Sequence, residues 1–149
     1  MNHNITIHPM TEEDIQSVCD VWKKAGLAIS DYEREQFELK MLMNANPKTC
    51  LVVQYGKDII GTIVGASNGR RVWIYHLAVL PEWQHKGIGS KLLLRVEKNV
   101  KQQGLTKMLL GVGLENLKVI PFYEKQGFIP MMDMLVLQKN LYVKGGEHL

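Results

Sequence analysis

The chain has 149 residues, 46% of them hydrophobic and 22% charged, which is one domain's worth of an ordinary globular composition. No apolar run approaches the roughly 20 residues of a membrane span, and no basic-then-apolar segment opens the chain, so the expected setting is cytoplasmic with no membrane partner. A net charge of +3 is too mild to argue for a nucleic-acid partner. Cys19 and Cys50 lie far apart in apolar settings and read as buried free thiols. The five histidines show no metal-ligand spacing with each other or with the cysteines, so no metal is expected.

In chain order, Asn4 to His8 alternates around Ile5 and Ile7 and reads as a short strand. Thr11-Glu12-Glu13-Asp14 has the form of a helix start, with acids in the positive first turn. Ile15, Val18, Cys19, Trp22 and Ala25 then give a helix an apolar stripe, and Gly26 ends it. Ser30-Asp31-Tyr32-Glu33 reads as a capping box opening a second helix, with Phe37, Met41 and Leu42 expected on its inner face. Thr49 to Tyr55 and Asp58 to Ala66 are expected strands joined at Gly56-Lys57. A turn at Ser67-Asn68-Gly69 leads to a third, Arg71 to Leu80, completing an antiparallel meander. Leu92, Leu93, Val96 and Val100 recur at helical spacing, so a long helix runs to about Gln103, where Gly104 stops it. Lys107 to Val112 follows as strand, then a short helix to Gly127, and Phe128 to Lys139 as a last strand. Residues 1–143 read as a single domain and 144–149 as a frayed tail.

The stretch between the third strand of the meander and the long helix carries the chemistry. Gly87 and Gly89 have no Cβ and allow a ligand close to the backbone. The loop's N–H groups, the unpaired donors of the first helical turn and the helix dipole together form an anion site. The dinucleotide fingerprint fails here, because its third glycine falls on Leu92, and the nucleotide-triphosphate loop is absent. Charge is distributed to match. From Arg70 to Lys107 there are eight basic and two acidic residues, whereas Thr11 to Pro47 has eight acidic and four basic. A cationic half suits a polyphosphate, and an anionic half suits a cationic acceptor, although solvated helix faces give the same counts.

Gln84 to Gly89, a Gln-x-x-Gly-x-Gly loop after a strand ending Leu77-Ala78-Val79, resembles the pyrophosphate loop of the GNAT superfamily of acetyl-CoA-dependent N-acetyltransferases. The resemblance covers nearly the whole chain and looks most like a branch of small stand-alone bacterial acetyltransferases. It implies an α+β fold in the order β-α-α-β-β-β-α-β-α-β. The expected sheet is mixed and mostly antiparallel, with six to seven strands flanked by about four helices. It further implies acetyl transfer from acetyl-CoA to a primary amine of a small molecule or of a protein or peptide, by direct attack.

Residue by residue, the resemblance implies that the backbone of Leu77, Ala78 and Val79 meets pantetheine. Gln84, His85, Lys86, Gly87, Ile88, Gly89 and Ser90 would hold the pyrophosphate. Asn116 and Tyr123, seven apart as in the family's Asn-x-x-Ala-x-x-Phe-Tyr pattern, would bond pantetheine and return a proton to the sulfur as general acid. Val119 and Pro121 depart from that pattern; Pro121 suits a helix start better than a helix interior. Ile29, Tyr32, Glu33, Glu35 and Gln36 are acceptor-side candidates. The base is open. Where some members carry a glutamate this chain has Trp73, and Tyr75, His76, Glu33 and Glu35 are the candidates, as is a water chain with no dedicated base, with His76 facing away from Tyr75 unless a bulge intervenes. A catalytically silent CoA-binding sensor is the alternative, and a homodimer is left open.

Overall fold

The structure, a computed structural model, describes residues 4–141; the expected tail at 144–149 lies outside the described residues. They fall into two compact units, one ending at Leu117 and one starting at Lys118.

In the first unit, β1 (Ile5–Pro9), β2 (Cys50–Tyr55), β3 (Asp58–Ser67), β4 (Val72–Val79) and β5 (Met108–Leu110) form one sheet in that spatial order. Pairing is antiparallel from β1 to β4, and β5 runs parallel to β4. The helices are α1 (Ile15–Lys24), α2 (Tyr32–Ala45) and α3 (Ile88–Gln102). Residue alternation along β3 assigns them to opposite faces. The Thr62 hydroxyl accepts a bond from Trp22 of α1, while a Cβ on neighbouring Gly61 would meet Ile88 and Leu92 of α3. Val18, Cys19 and Trp22 of α1, Leu39 and Met43 of α2, and Cys50, Val52 and Val64 of the sheet close the core on one face. Leu92, Val96 and Val100 of α3, all nearly inaccessible, cover the other. Gly26 and Gly104 take φ of 81° and 79° just beyond α1 and α3, as expected of helix stops.

The start of α2 differs from the sequence reading. Asp31 is the cap, its carboxylate accepting the Arg34 N–H at 3.0 Å, so the helix begins one residue after the expected box position. Leu39 and Met43 are the buried residues, not Phe37 and Met41, which are exposed. This helix carries apolar residues on two sides, and periodicity alone does not choose between them. Phe37 instead lies beneath the Arg34 guanidinium, 4.9 Å from ring centre to Cζ.

The second unit contains α4 (Ile120–Lys125), which opens with Pro121 in its first turn. The expected strand over Phe128–Lys139 does not form: these residues carry no regular structure, and the sheet of the described residues has five strands, not six or seven. Pro130 has no N–H to give, and the apolar run from Met131 to Leu137 lacks the period-two alternation that would assign one face to a core. Ile129, Met132, Leu135 and Leu137 are exposed. No helix among the described residues is long and apolar enough to cross a membrane.

Candidate active site

After β4 the chain makes a single 3-10 turn, Pro81–Trp83, and then the loop Gln84–Gly87. Gly87 is the N-cap of α3 with φ 81° and ψ 8°, a left-handed conformation that costs a side-chain-bearing residue about 1 kcal/mol or more. A Cβ there would meet nothing within 4 Å, so the position is open to an approaching group. His85 is also left-handed, at φ 63°. Gln84 is tied back through its side-chain amide, which donates to the Val79 carbonyl at 3.0 Å. Lys86 lies over the Trp83 ring at 5.4 Å, and that ring stacks at an angle on Tyr55. Ile88 is buried and anchors the first turn, while Gly89 and Ser90 are half-buried. Gln84, His85, Lys86 and Gly87 are exposed. The loop therefore presents free main chain and a lysine at the positive end of a 15-residue helix.

Beside it, the sheet is open. β5 pairs with β4 only through Val72, Trp73 and Ile74. From Tyr75 to Val79 that edge of β4 has no strand partner among the described residues, and β3 alone holds it. The β3 register shifts there: Thr62 faces Ala78 but Val64 faces Tyr75, so His76 and Leu77 together oppose one residue. This is a bulge, with His76 at φ 50°. It is the condition under which the sequence allowed Tyr75 and His76 to share a side, and both line one cavity.

That cavity, of about 550 Å³, lies between α1, α2 and the β3–β4 pair. Its apolar lining is Trp22, Leu39, Met41, Leu42, Val64 and Ala66; its polar lining is Glu35, Glu38, Tyr75 and His76. His76 Nε2 stands 2.7 Å from a Glu35 carboxylate oxygen, with each side chain about a quarter exposed. The imidazole lies against Trp22, ring centres 4.5 Å apart. Beneath the bulge, the Trp22 indole N–H donates to Thr62 Oγ1 at 3.0 Å, and that hydroxyl donates to the His76 carbonyl at 3.1 Å. Sequence reading named Glu35 and His76 separately, 41 residues apart, without the pairing. It did not find Thr62 or the apolar lining, since neither carries a local signal.

The other acceptor-side candidates do not line the cavity. Ile29 and Tyr32 pack against the core as partly buried residues, and Tyr32 also carries Lys23 over its ring. Glu33 is exposed on α2, and Gln36 hydrogen-bonds the Cys19 thiol. Trp73 pairs in the sheet with Ala66 and Leu109. Asn116 is exposed at the end of the first unit with φ −126°, outside helical geometry, and it does not cap α4, because Val119 is the N-cap there. In the second unit Tyr123 meets Phe122 and Phe128 edge-on, and burial holds its phenol above the usual range, keeping the proton at neutral pH. Cys19 and Cys50 are buried free thiols, and burial pushes Cys50 up to about 11.

Comparison with known proteins bears on this geometry. The family model for the Acetyltransferase (GNAT) family matches residues 14–128. Among curated proteins, Acetyltransferase SG1711 of Sodalis glossinidius is 28% identical over 135 residues, covering 91% of this chain and 94% of that one. Among solved structures, Ard1 from Thermoplasma volcanium superposes with a TM-score of 0.75 at 24% identity, over 85% of this chain and 83% of that chain. The PaiA N-acetyltransferase from Thermoplasma acidophilum, in complex with coenzyme A, gives a TM-score of 0.69 at 24% identity, over 82% and 87%. The chain belongs to the GNAT family and is an acetyl-CoA-dependent N-acetyltransferase.

Proposed function

We propose that the chain moves an acetyl group from acetyl-CoA to a primary amine, of a small molecule or of a protein or peptide, by direct attack of nitrogen on the thioester. The observation that carries this reading is the interrupted edge of β4. It leaves a stretch of main chain with no strand partner among the described residues, between the glycine loop on one side and a cavity holding a histidine and two carboxylates on the other.

The residues present fit the donor. Main-chain amides from His85 to Gly89, at the positive end of α3 with Lys86 alongside, hold the diphosphate. The unpaired edge at Leu77 to Val79 receives the pantetheine amides, with Asn116 as a further contact. Tyr123, kept protonated by its burial, supplies the proton for the departing sulfur. Glu35 and Glu38 draw a cationic amine into the cavity. Both buried thiols stay protonated at neutral pH, which supports direct transfer over a cysteine relay. Residues 1–143 act as one catalytic domain, a reading supported by a family match that runs through both units.

The test is thiol release from acetyl-CoA by the purified chain with a library of amines and peptides, products identified by mass spectrometry. Acetylated primary amines are expected, with initial rates that depend on both substrates as for a ternary complex. Parallel double-reciprocal lines would indicate an acyl-enzyme and reject direct attack.

A further inference from the structure

The pairing of Glu35 with His76 is more than an ion pair on a cavity wall. Its histidine is one of two side-chain-bearing residues among those described with a positive φ, and three separate contacts fix it there. The Thr62 hydroxyl holds its carbonyl, Trp22 covers one side of its ring, and Glu35 takes its Nε2. Thr62 is fully buried and bonded on both sides, so the bulge is set by interior contacts and not by chance at the surface. Backbone strain held in place this way accumulates where a side chain must be aimed.

We infer that His76, oriented by Glu35, is the base that takes the proton from the acceptor, and that the acceptor is an amine on an apolar arm filling the cavity over Trp22, Leu39, Leu42 and Val64. The inference rests on the acetyl-transfer reading above and adds to it the base and the acceptor class. An ionised Glu35 only accepts, so it requires the proton on Nε2 and leaves the lone pair on Nδ1. An alkyl amine is protonated at neutral pH and cannot attack until one proton is removed. Nδ1 takes that proton. The nitrogen lone pair then forms the C–N bond as the C–S bond breaks; the surplus proton on nitrogen passes to water, and the sulfur takes a proton from Tyr123 and departs as a thiol, the phenol being reprotonated from water. The imidazolium formed faces the Glu35 carboxylate and returns its proton to water.

The groups around the ring are few. From α2 come Glu35 and Glu38, the latter paired with Arg34. From α1 come Trp22 and the Cys19 thiol, which feels the charge of Glu35. From β4 comes Tyr75, its ring centre 6.5 Å away, and from β3 only Thr62, Val64 and Ala66. Most of the remaining wall is hydrocarbon, which rewards an apolar arm and leaves a polar one without partners.

Two measurements test it. Across straight-chain amines from ethylamine to hexylamine, kcat/KM should rise about fourfold per added methylene until the cavity is full; a flat series overturns the acceptor class. On hexylamine, His76→Gln should lower kcat/KM roughly 100-fold and abolish the acidic limb of its pH profile. Glu35→Gln should lower it about tenfold, because the ring loses the carboxylate that fixes its tautomer and orientation. In both variants the KM for acetyl-CoA should stay within twofold. A kcat/KM for hexylamine within twofold of wild type in Glu35→Gln overturns the assignment of an oriented base even if His76→Gln does not fold. Should the wild-type chain release thiol with peptides but with no alkylamine, the acceptor class falls and acetyl transfer stands. Release with no amine at all would bring down both.

Discussion

Thr62 is the position at which stability and catalysis are tied most closely, and Thr62→Val tests the tie. Valine keeps the volume of threonine but removes the hydroxyl, leaving the Trp22 indole N–H and the His76 carbonyl without the partners they now have at 3.0 and 3.1 Å. Trp22 and the residue at 62 are both fully buried, so bulk water does not reach the indole N–H to replace the lost acceptor. Each unpaired buried group costs about 1–3 kcal/mol, for a total loss of about 2–6 kcal/mol. Thr62→Ser is the control: it keeps both bonds and removes one methyl, at about 1 kcal/mol. In urea titrations followed by circular dichroism, with a slope near 2 kcal/mol/M, the valine midpoint should fall by about 1–3 M and the serine midpoint by about 0.5 M. The bulge at His76 loosens only in the valine variant, so kcat should drop there and remain close to wild type in the serine variant. A valine variant as stable as the serine one would refute the claim that the hydroxyl bridge holds this part of the sheet.

Other expectations follow from single residues. Gly87→Ala places a Cβ in open space at φ 81°, so it should cost about 1 kcal/mol of stability through backbone strain alone, yet weaken acetyl-CoA binding at least tenfold by calorimetry; unchanged affinity would remove the loop from the donor site. Tyr123→Phe should lower kcat about 100-fold and leave acetyl-CoA affinity within twofold; full activity would end the acid role. Folded Cys50 holds its proton to about pH 11, whereas the unfolded thiol releases it near 9.0. The stability this contributes is therefore complete below pH 9 and lost between 9 and 11, by roughly 2–3 kcal/mol. Cys50→Ala should show a correspondingly shallower alkaline decline in urea stability. An identical decline would mean the thiol ionises in the fold as readily as outside it.

How much of this was legible in the sequence depends on how local each signal is. The glycine loop could be read because everything it needs lies between Val79 and Leu92: a strand end, two glycines and the first turn of an amphipathic helix. The stops at Gly26 and Gly104 and the turn at Gly56 are local in the same way, and they form as expected. Helix α2 is ambiguous because Phe37 and Met41 compete with Leu39 and Met43, and only α1 and the sheet decide which pair is buried. The last expected strand fails for a related reason. High β-propensity from Met131 to Leu137 describes a side-chain preference, while a strand exists only where another backbone takes up its hydrogen bonds.

His76 shows the limit most clearly. Period-two alternation sends Tyr75 and His76 to opposite faces of a regular strand, and that rule would have excluded His76 from any site that Tyr75 shares. The bulge that overturns it is not written in β4, whose sequence Val-Trp-Ile-Tyr-His-Leu-Ala-Val has no glycine and no proline. It depends on Thr62 in β3, on Trp22 in α1 and on Glu35 in α2, three residues on three elements that meet only in the folded chain. A strand can be bent at a residue with no special freedom when enough partners outside it fix the bend, and here those partners aim the imidazole at the cavity. The same contacts that make the site unreadable from β4 are those that hold its geometry, so substitutions at Trp22, Thr62 and Glu35 should act on kcat through the placement of His76 and not independently of it.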